Sequence, residues 1–419
     1  MNDRYEKIKL LNAVAESGVT DGCVAAPELL FDNYSENSSV IKHEVELTRS
    51  RVRPSLFPYQ RDLVDEMTRI VREREWALLA LPTGAGKTRT AASSVLEMIA
   101  ENECQSVLWM APSRELLNQA HATLAKLWGE YADCPDIVLL QNSLTKSDIR
   151  AHIVFATPQE AHAAIRGQKS VRTDWDLIVF DEAHQGMAPT YAAALKVLSG
   201  GPGHAAVIGL SATPGRATED ETEDLVLLFN RCLLTSPLLA PKPVETLQKT
   251  GVLAKLTFKV IGEAYRPALS ESARLVEAIR LCRERVQEGA RIMVFAGSVA
   301  GSIVLGESLR KVGVRAHTIL AEMTDGQRAE IIETFANGRI DVLVNHRLLA
   351  TGFDCPAVTD VVILSKIGSS VLFEQIVGRA ARGPLVGGSK TANIWQFNDH
   401  LKLHGLPQSY YRYRSFDWS

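Results

Sequence analysis

Two stretches of this chain carry residues suited to handling a phosphorylated nucleotide. The first is Ala80-Leu81-Pro82-Thr83-Gly84-Ala85-Gly86-Lys87-Thr88. It follows an apolar run, Trp76 to Leu81, that reads as a buried strand, and precedes a helical pattern from about Lys87 to Ile99. A strand, a glycine-bearing turn ending in Gly-Lys-Thr and a helix make a phosphate-binding loop. Glycines let the backbone N–H groups curl toward an anion, the helix N-terminus adds its dipole, and Lys87 adds a full charge. Thr83, Gly84, Ala85, Gly86, Lys87 and Thr88 are therefore expected to hold the nucleotide, with the Thr88 hydroxyl directed to Mg²⁺. Ala80 stands where the general motif has its first glycine. The second stretch is Leu177-Ile178-Val179-Phe180-Asp181-Glu182-Ala183-His184, an apolar strand ending in two acids. Ligands of parallel sheets bind at the carboxyl ends of strands. Asp181 is placed to hold a metal–phosphate group, and Glu182 to orient or deprotonate water. Mg²⁺ takes hard oxygen ligands and keeps several waters, so Asp181 with Thr88 is a sufficient protein share.

Further candidates surround this pair. Gln60 lies in Phe57-Pro58-Tyr59-Gln60, upstream of Lys87, with a helix expected over Asp62–Arg74 between them. Its amide both donates and accepts, which suits the adenine edge. Ala111-Pro112-Ser113, Ala156-Thr157-Pro158 and Ser211-Ala212-Thr213-Pro214 each end an apolar run at a hydroxyl residue and a proline. The first two lead into helical patterns, where free N–H groups and a hydroxyl can hold a phosphate. Gln375, Gly378, Arg379 and Arg382 fall at i, i+3, i+4 and i+7 of an expected helix over Ser370–Arg382, opposite an apolar face. Arginines so placed can compensate charge on a transferring phosphate, an effect worth about 10³–10⁵ in rate. In Thr351-Gly352-Phe353-Asp354, Gly352 permits close backbone approach, and Asp354 could accept from a ribose or an arginine.

The elements that must position these residues alternate. Apolar strands are expected at Ser106–Ala111, Ile137–Gln141, His152–Ala156, Leu177–Phe180 and Ala206–Leu210, with helices between most of them. Prolines cluster at Pro237, Pro241 and Pro243, and Leu247 to Phe258 reads as a connector. The alternation then restarts: helix Glu271–Gln287, strand Arg291–Phe295, helix Gly301–Val312, strand Val314–Leu320, helix Asp325–Asn337, and strands Asp341–Asn345, Val361–Leu364 and Thr391–Phe397. Strands alternating with helices indicate parallel sheets covered on both faces. The expected fold is α/β, with two tandem domains: an extension over residues 1–50, a first domain over 51–250 and a second over 251–419. A short amphipathic helix is expected over Tyr5–Glu16.

At 419 residues, with 46% hydrophobic and 23% charged residues, the chain has the composition of a soluble globular protein with sizeable cores. No apolar run approaches the roughly 18 residues of a membrane span, and no signal-like segment is visible, so no membrane association is expected. The cysteines at positions 23, 104, 134, 232, 282 and 355 are scattered without Cys-x-x-Cys pairs. That suggests neither a zinc site nor a disulfide framework, and fits a reducing cytoplasm. The net charge of −3 leaves no global basic excess, so any nucleic-acid contact must be local.

Taken in order, Phe57-Pro58-Tyr59-Gln60, Pro82-Thr83-Gly84-Ala85-Gly86-Lys87-Thr88, Ala111-Pro112-Ser113-Arg114-Glu115-Leu116, Asp181-Glu182-Ala183-His184, Ser211-Ala212-Thr213, Thr351-Gly352-Phe353-Asp354 and Gln375-x-Val377-Gly378-Arg379-x-x-Arg382 resemble the superfamily 2 helicases over about residues 53 to 400. The wording is closest to the restriction-enzyme motor and excision-repair branch, and Ala80 agrees with that superfamily. The resemblance implies two RecA-like domains with ATP and Mg²⁺ in the cleft between them and nucleic acid across both. It implies that Lys87 and Thr88 bind phosphates and Mg²⁺, Asp181 holds Mg²⁺, Glu182 activates water, and Gln375, Arg379 and Arg382 act on the γ-phosphate from the second domain. His184, Ser211 and Thr213 would couple hydrolysis to movement. Arg114, Thr157, Ser298 and Thr351 would touch the nucleic-acid backbone. One departure is Gly301, where related motors often carry His. The expected activity is an ATP-driven motor on nucleic acid, DNA favoured over RNA, directed by a protein partner in repair, restriction or phage defence. An RNA helicase and an ATP-gated clamp or assembly subunit are the alternatives. The tail Tyr410 to Trp418 interleaves aromatics with arginine and is expected to pack on the second domain or a partner.

Overall fold

The computed structural model describes residues 55–130, 139–141, 144, 152–167, 171–185, 189–201, 203–215, 219–262, 270–346, 348–350, 355–365, 367–397 and 418. The expected helix at Tyr5–Glu16 and the residues Thr351, Gly352 and Asp354 lie outside this set, as does the tail apart from Trp418.

Two wholly parallel sheets form the frame. The first has seven strands: β1 (Trp76–Ala80), β2 (Val107–Met110), β3 (Leu139–Gln141), β4 (Ile153–Ala156), β5 (Leu177–Asp181), β6 (Ala206–Ser211) and β7 (Leu233–Leu234). Their spatial order is β3-β4-β2-β5-β6-β1-β7. The second has six: β8 (Lys255–Val260), β9 (Ile292–Phe295), β10 (Ala316–Ile319), β11 (Val342–Asn345), β12 (Asp360–Ile363) and β13 (Thr391–Gln396), in the order β10-β11-β9-β12-β13-β8. Central strands such as Val107-Leu108-Trp109-Met110 are buried along their whole length, as strands covered on both faces must be. Residues of alternating parity go to opposite faces. Leu79, Trp109 and Val179 join one core cluster, and Leu78, Leu108 and Ile178 the other.

The two β-strands before the site are fixed at their entry ends by a shared device. Asp176 precedes β5, and its Oδ2 accepts from the Gln105 and Ser106 amides at 3.0 and 3.1 Å and from Ser106 Oγ at 3.0 Å. Asp360 opens β12 and is fully buried. Arg285 donates to it through Nε at 2.9 Å and Nη2 at 3.2 Å, and Asn393 Nδ2 and Trp395 Nε1 donate at 3.1 and 2.7 Å. Carboxylates ringed by donors replace the water they lose on burial.

Three sequence expectations are corrected. The stretch Leu247–Phe258 is more than a connector: the helix Pro243–Lys249 packs on the first core, and β8 then becomes an edge strand of the second sheet, paired with β13. The helix expected over Ser370–Arg382 stops at Val377 and tightens to a 3₁₀ turn over Gly378–Ala380. Residues 373–380 are all buried, so Gln375 and Arg379 do not lie on a solvated face. Finally, Trp418 packs into the core of the first domain, with Trp175, Phe180 and Leu195 in the same cluster, and not onto the second.

Replacing Asp360 by Ala should leave the buried donors of Asn393, Trp395 and Arg285 Nε without their acceptor, with Glu288 the remaining acid on Arg285, and lower stability by about 1–3 kcal/mol, the range for leaving buried donors unsatisfied. Denaturant melts of Asp360→Ala against wild type check this; a loss under about 1 kcal/mol would show that the ring of donors is not holding the strand.

Candidate active site

The loop after β1 is shaped by left-handed glycines. Gly84 has φ 88° and Gly86 φ 86°, and Gly86 caps the helix Lys87–Ala100. A Cβ on Gly86 would stand 2.5 Å from Gln60 Nε2. Only glycine accepts both that conformation and that neighbour. The helix over Pro58–Arg72 starts earlier than expected, with Pro58 in its first turn, which carries Tyr59 and Gln60 under the loop. The Tyr59 hydroxyl donates to the Ala85 carbonyl at 2.8 Å. Burial pushes its phenol well above the usual range, so it stays a neutral donor. Gln60 Oε1 accepts from the Phe57 amide at 3.0 Å and its Nε2 donates to the Ala85 carbonyl at 3.4 Å. Gln60 therefore braces the loop, with one further donor and acceptor position left for a ligand. Tyr59 was missed in the sequence, where a Tyr-Gln pair alone carries little signal.

The acids stand at the carboxyl end of β5. Thr88 Oγ1 donates to Asp181 Oδ2 at 3.3 Å, and the Glu182 amide donates to Asp181 Oδ1 at 2.9 Å. Lys87 Nζ is 3.9 Å from Glu182 Oε1. Burial, with the adjacent Glu182 charge, pushes Asp181 up to about 6. Burial would raise Glu182 too, but Lys87, His184 and Arg379 outweigh it and hold Glu182 below the ordinary range. Glu182 also adopts φ 50°, rare for a residue with a side chain, and such backbone strain clusters at working sites. Its Oε2 is buried and accepts no hydrogen bond. The hydroxyl and carboxylate of Thr88 and Asp181 form a hard-oxygen pair beside the loop, a donor set that fits Mg²⁺.

A chain of hydrogen bonds leaves this site through His184. Ser211 Oγ donates to the Thr213 carbonyl at 2.7 Å and accepts from the Thr213 amide at 3.1 Å. Its proton is thus committed, so His184 Nδ1, 3.2 Å away, must be the donor to it. The same nitrogen lies 3.3 Å from Glu182 Oε2 without hydrogen-bond alignment. In the neutral ring Nε2 is then an acceptor, and Gln375 Nε2 of the second domain donates to it at 3.3 Å. The domains also meet at Gly378, where a Cβ would lie 2.4 Å from Thr83 Cγ2. Arg379 is 7% exposed. Arg382 donates through Nη1 to the Gly378 carbonyl at 2.6 Å and borders Gly84, next to Leu253. The structure thus gathers Gln60, Thr83 to Thr88, Asp181, Glu182, His184, Ser211, Thr213, Gln375, Arg379 and Arg382 along one cleft.

The residues expected on nucleic acid lie apart from that group. Ser113 caps the helix Arg114–Trp128, accepting from the Leu116 amide, and Thr157 caps the helix Pro158–Arg166. Arg114 pairs with Glu160, and Ser298 Oγ donates to Glu271 Oε1 at 3.1 Å. Glu115 meets Arg328 of the second domain at 3.2 Å. None of these glutamates stood out in the sequence, because their partners are distant in the chain.

Comparison with known proteins agrees with this arrangement. Residues 53–216 match the family model of the type III restriction enzyme res subunit, and residues 273–384 match the helicase conserved C-terminal domain. A 51.5 kDa protein of Lactococcus phage (isolate 7-9) is 27% identical over 57% of this chain and 53% of its own length. DEAD-box ATP-dependent RNA helicase 12 of Oryza sativa subsp. japonica is 25% identical over 78% of this chain and 59% of its own. The chain thus spans little more than half of these relatives. The fragment structure of a putative HsdR subunit of a type I restriction enzyme from Vibrio vulnificus YJ016 superposes with a TM-score of 0.59 at 19% identity, covering 84% of this chain and 65% of that one, and shares its fold. With both halves of a helicase matched in order on two parallel α/β sheets, the chain carries the two domains of a superfamily 2 helicase, the first of them matching the res-subunit model.

Proposed function

We propose that this chain is an ATP-driven motor that moves along nucleic acid, with DNA as its preferred track. The observation that carries the reading is the buried, unsatisfied Oε2 of Glu182, set between Lys87 and a hydrogen-bond chain to the other domain. A buried carboxylate with open lone pairs can take a proton from water once a phosphate is in reach. Lys87 and the loop amides would hold the β- and γ-phosphates, and Thr88 and Asp181 would hold Mg²⁺, which supplies charge neutralisation on the phosphates when bound. Arg379 and Arg382 would stabilise charge on the γ-phosphate from the second domain. A relay from Ser211 through His184 to Gln375, with the His184 ring 3.3 Å from Glu182 Oε2, would give that domain a way to sense whether the γ-phosphate is present. Ser211 and Thr213 share the relay's hydrogen bonds and would pass its state to the strand end of β6. Gln60 would meet the adenine with its remaining amide positions. The DNA preference is supported by the match to the restriction res subunit model. A relative named as an RNA helicase supports the second reading, RNA as track. A partner protein would supply targeting, since the chain lacks a basic excess of its own.

Lys87→Ala and Glu182→Gln should each lower nucleic-acid-stimulated ATP hydrolysis by at least about 10²-fold, and Glu182→Gln should still bind ATP. Steady-state phosphate release with single-stranded DNA and RNA of one sequence measures both points. A wild-type rate in either variant would remove the catalytic assignment, and stronger stimulation by RNA would reverse the choice of track.

Asp181 must be ionised to hold Mg²⁺, and its ligand-free value is raised to about 6. Protons therefore compete with the cation on the acid side. Mg²⁺-dependent nucleotide affinity should be full at neutral pH and weaken as pH falls toward and below about 6, while affinity without Mg²⁺ changes little. Fluorescent-nucleotide titrations with and without Mg²⁺ across that range test it. Parallel slopes would show that Asp181 is not the ligand.

Gly378→Ala puts a methyl group into Thr83 and should hold the domains apart. The expected result is a loss of stimulated turnover of about 10-fold or more with an unchanged melting temperature, because each core is untouched. Unchanged turnover would mean that the close approach at Gly378 is not required.

A further inference from the structure

Each described residue expected on the nucleic-acid backbone is already engaged by a glutamate. Arg114 Nη2 pairs with Glu160 Oε1. The other oxygen of the same carboxylate accepts from the Thr157 amide at 2.8 Å, while Thr157 Oγ1 accepts from the Glu160 amide at 3.2 Å. One carboxylate thus occupies both the guanidinium and the helix N-cap amide that would otherwise meet a phosphate. In the second domain, Ser298 Oγ donates to Glu271 Oε1 at 3.1 Å and accepts from the Gly301 amide at 2.9 Å. Gly301 bears on this directly. A Cβ there would stand 3.2 Å from Glu271 Oε1 and 3.0 Å from Ser298 Oγ. The position at which related motors often carry His is therefore bare where the carboxylate comes in. Across the cleft, Glu115 Oε1 lies 3.2 Å from Arg328 Nη2.

We propose that Glu160 and Glu271 act as carboxylate placeholders on the nucleic-acid track, occupying the donors of Arg114, Thr157 and Ser298 until backbone phosphates displace them. The proposal rests on the reading of the chain as a nucleic-acid motor. Carboxylate and phosphate oxygens compete for the same donors, and charge-assisted bonds to both follow one geometry. The Arg114–Glu160 pair is partly exposed on both sides, with 43% and 21% of the side chains accessible, so exchange by solvent-borne phosphate is feasible. Binding then replaces one anion by another. The displaced Glu160 stays beside the phosphate, so the pair brings no net charge and fewer of the cations condensed on the nucleic acid are released; affinity is low and the salt dependence is shallower than the number of cationic contacts implies.

Glu160→Gln and Glu271→Gln test this. Glutamine keeps the length of the side chain and, at position 160, keeps the reciprocal cap with Thr157. Fluorescence anisotropy is read with the non-hydrolysable ATP analogue bound, using single-stranded DNA and RNA of one sequence over a series of KCl concentrations. Each variant should bind about two- to fivefold tighter at low salt, and the double variant about tenfold tighter. Glu160→Gln should also steepen the log–log salt slope by about 0.7–0.9, one phosphate contact's worth, which a purely structural role of Glu160 would not do. If wild type binds and the variants bind equally or more weakly with an unchanged slope, the placeholder role is wrong and the motor reading stands. If wild type and variants alike bind neither nucleic acid, the motor reading falls and the proposal falls with it.

Discussion

Two carboxylates buried side by side set the terms for this molecule. Asp181 and Glu182 are adjacent in sequence and almost inaccessible, at 2% and 7% exposure. Bringing two like charges out of water is unfavourable unless cations and donors surround them. The structure supplies three, each from a different element. Lys87 comes from the helix after the loop, His184 from the turn after the acids, and Arg379 from the other domain. The pair divides its burden unequally. Glu182 stands nearest the cations and stays ionised, whereas Asp181, with Thr88 and its neighbour's amide as partners, is driven up. That division matches the two tasks expected of them, a base that must be charged and a cation ligand for which protons compete as pH falls toward about 6.

The parallel sheet makes that concentration of charge possible. Its strands all point one way, so their carboxyl ends present loop after loop to the same edge. β1 delivers the phosphate loop, β5 the acids, and β6 the Ser211–Thr213 turn, and β5, β6 and β1 are consecutive in the sheet. Ala80 pairs with Ser211 and Asp181 with Leu210, which places the three strand ends level. Asp176 holds the opposite end of β5, accepting from Gln105 and Ser106 ahead of β2 and from Arg74 ahead of β1, so the register that levels the site is fixed from behind.

Much of this was legible in the sequence, for a physical reason. Buried parallel strands are apolar throughout and end abruptly at the residues that do chemistry, so strand ends and site residues announce one another. Leu177 to Phe180 ending at Asp181 and Glu182 is the clearest case. What was not legible depends on contacts between distant segments. The arginine segment after Ser370 has an unbroken helical pattern, yet it tightens to a 3₁₀ turn at Gly378, where the backbone comes so near Thr83 of the other domain that a Cβ would lie 2.4 Å from its methyl group. β8 looked like a connector because an edge strand is only half covered, and its partner β13 lies more than a hundred residues on. The glutamates at 115, 160 and 271 looked like ordinary first-turn helix acids, and only the folded chain shows which donors they meet.

Among the described residues, the same asymmetry of charge recurs at two places where the domains meet. At the catalytic cleft the acid, Glu182, belongs to the first domain and the guanidinium of Arg379 to the second. At the outer face the acid is Glu115 and the guanidinium Arg328. Closure in the absence of ligand is thus supported by acids of one domain facing arginines of the other. A triphosphate and a phosphodiester backbone are both anions, and either could compete for arginines held in this way. Each would take over an arginine that a glutamate now attracts. The ligands then need not create the closed arrangement from nothing. On the proposed function they would replace its internal anions, and once hydrolysis removed the γ-phosphate, the arginine on that side would return to a glutamate that holds it less strongly than phosphate does.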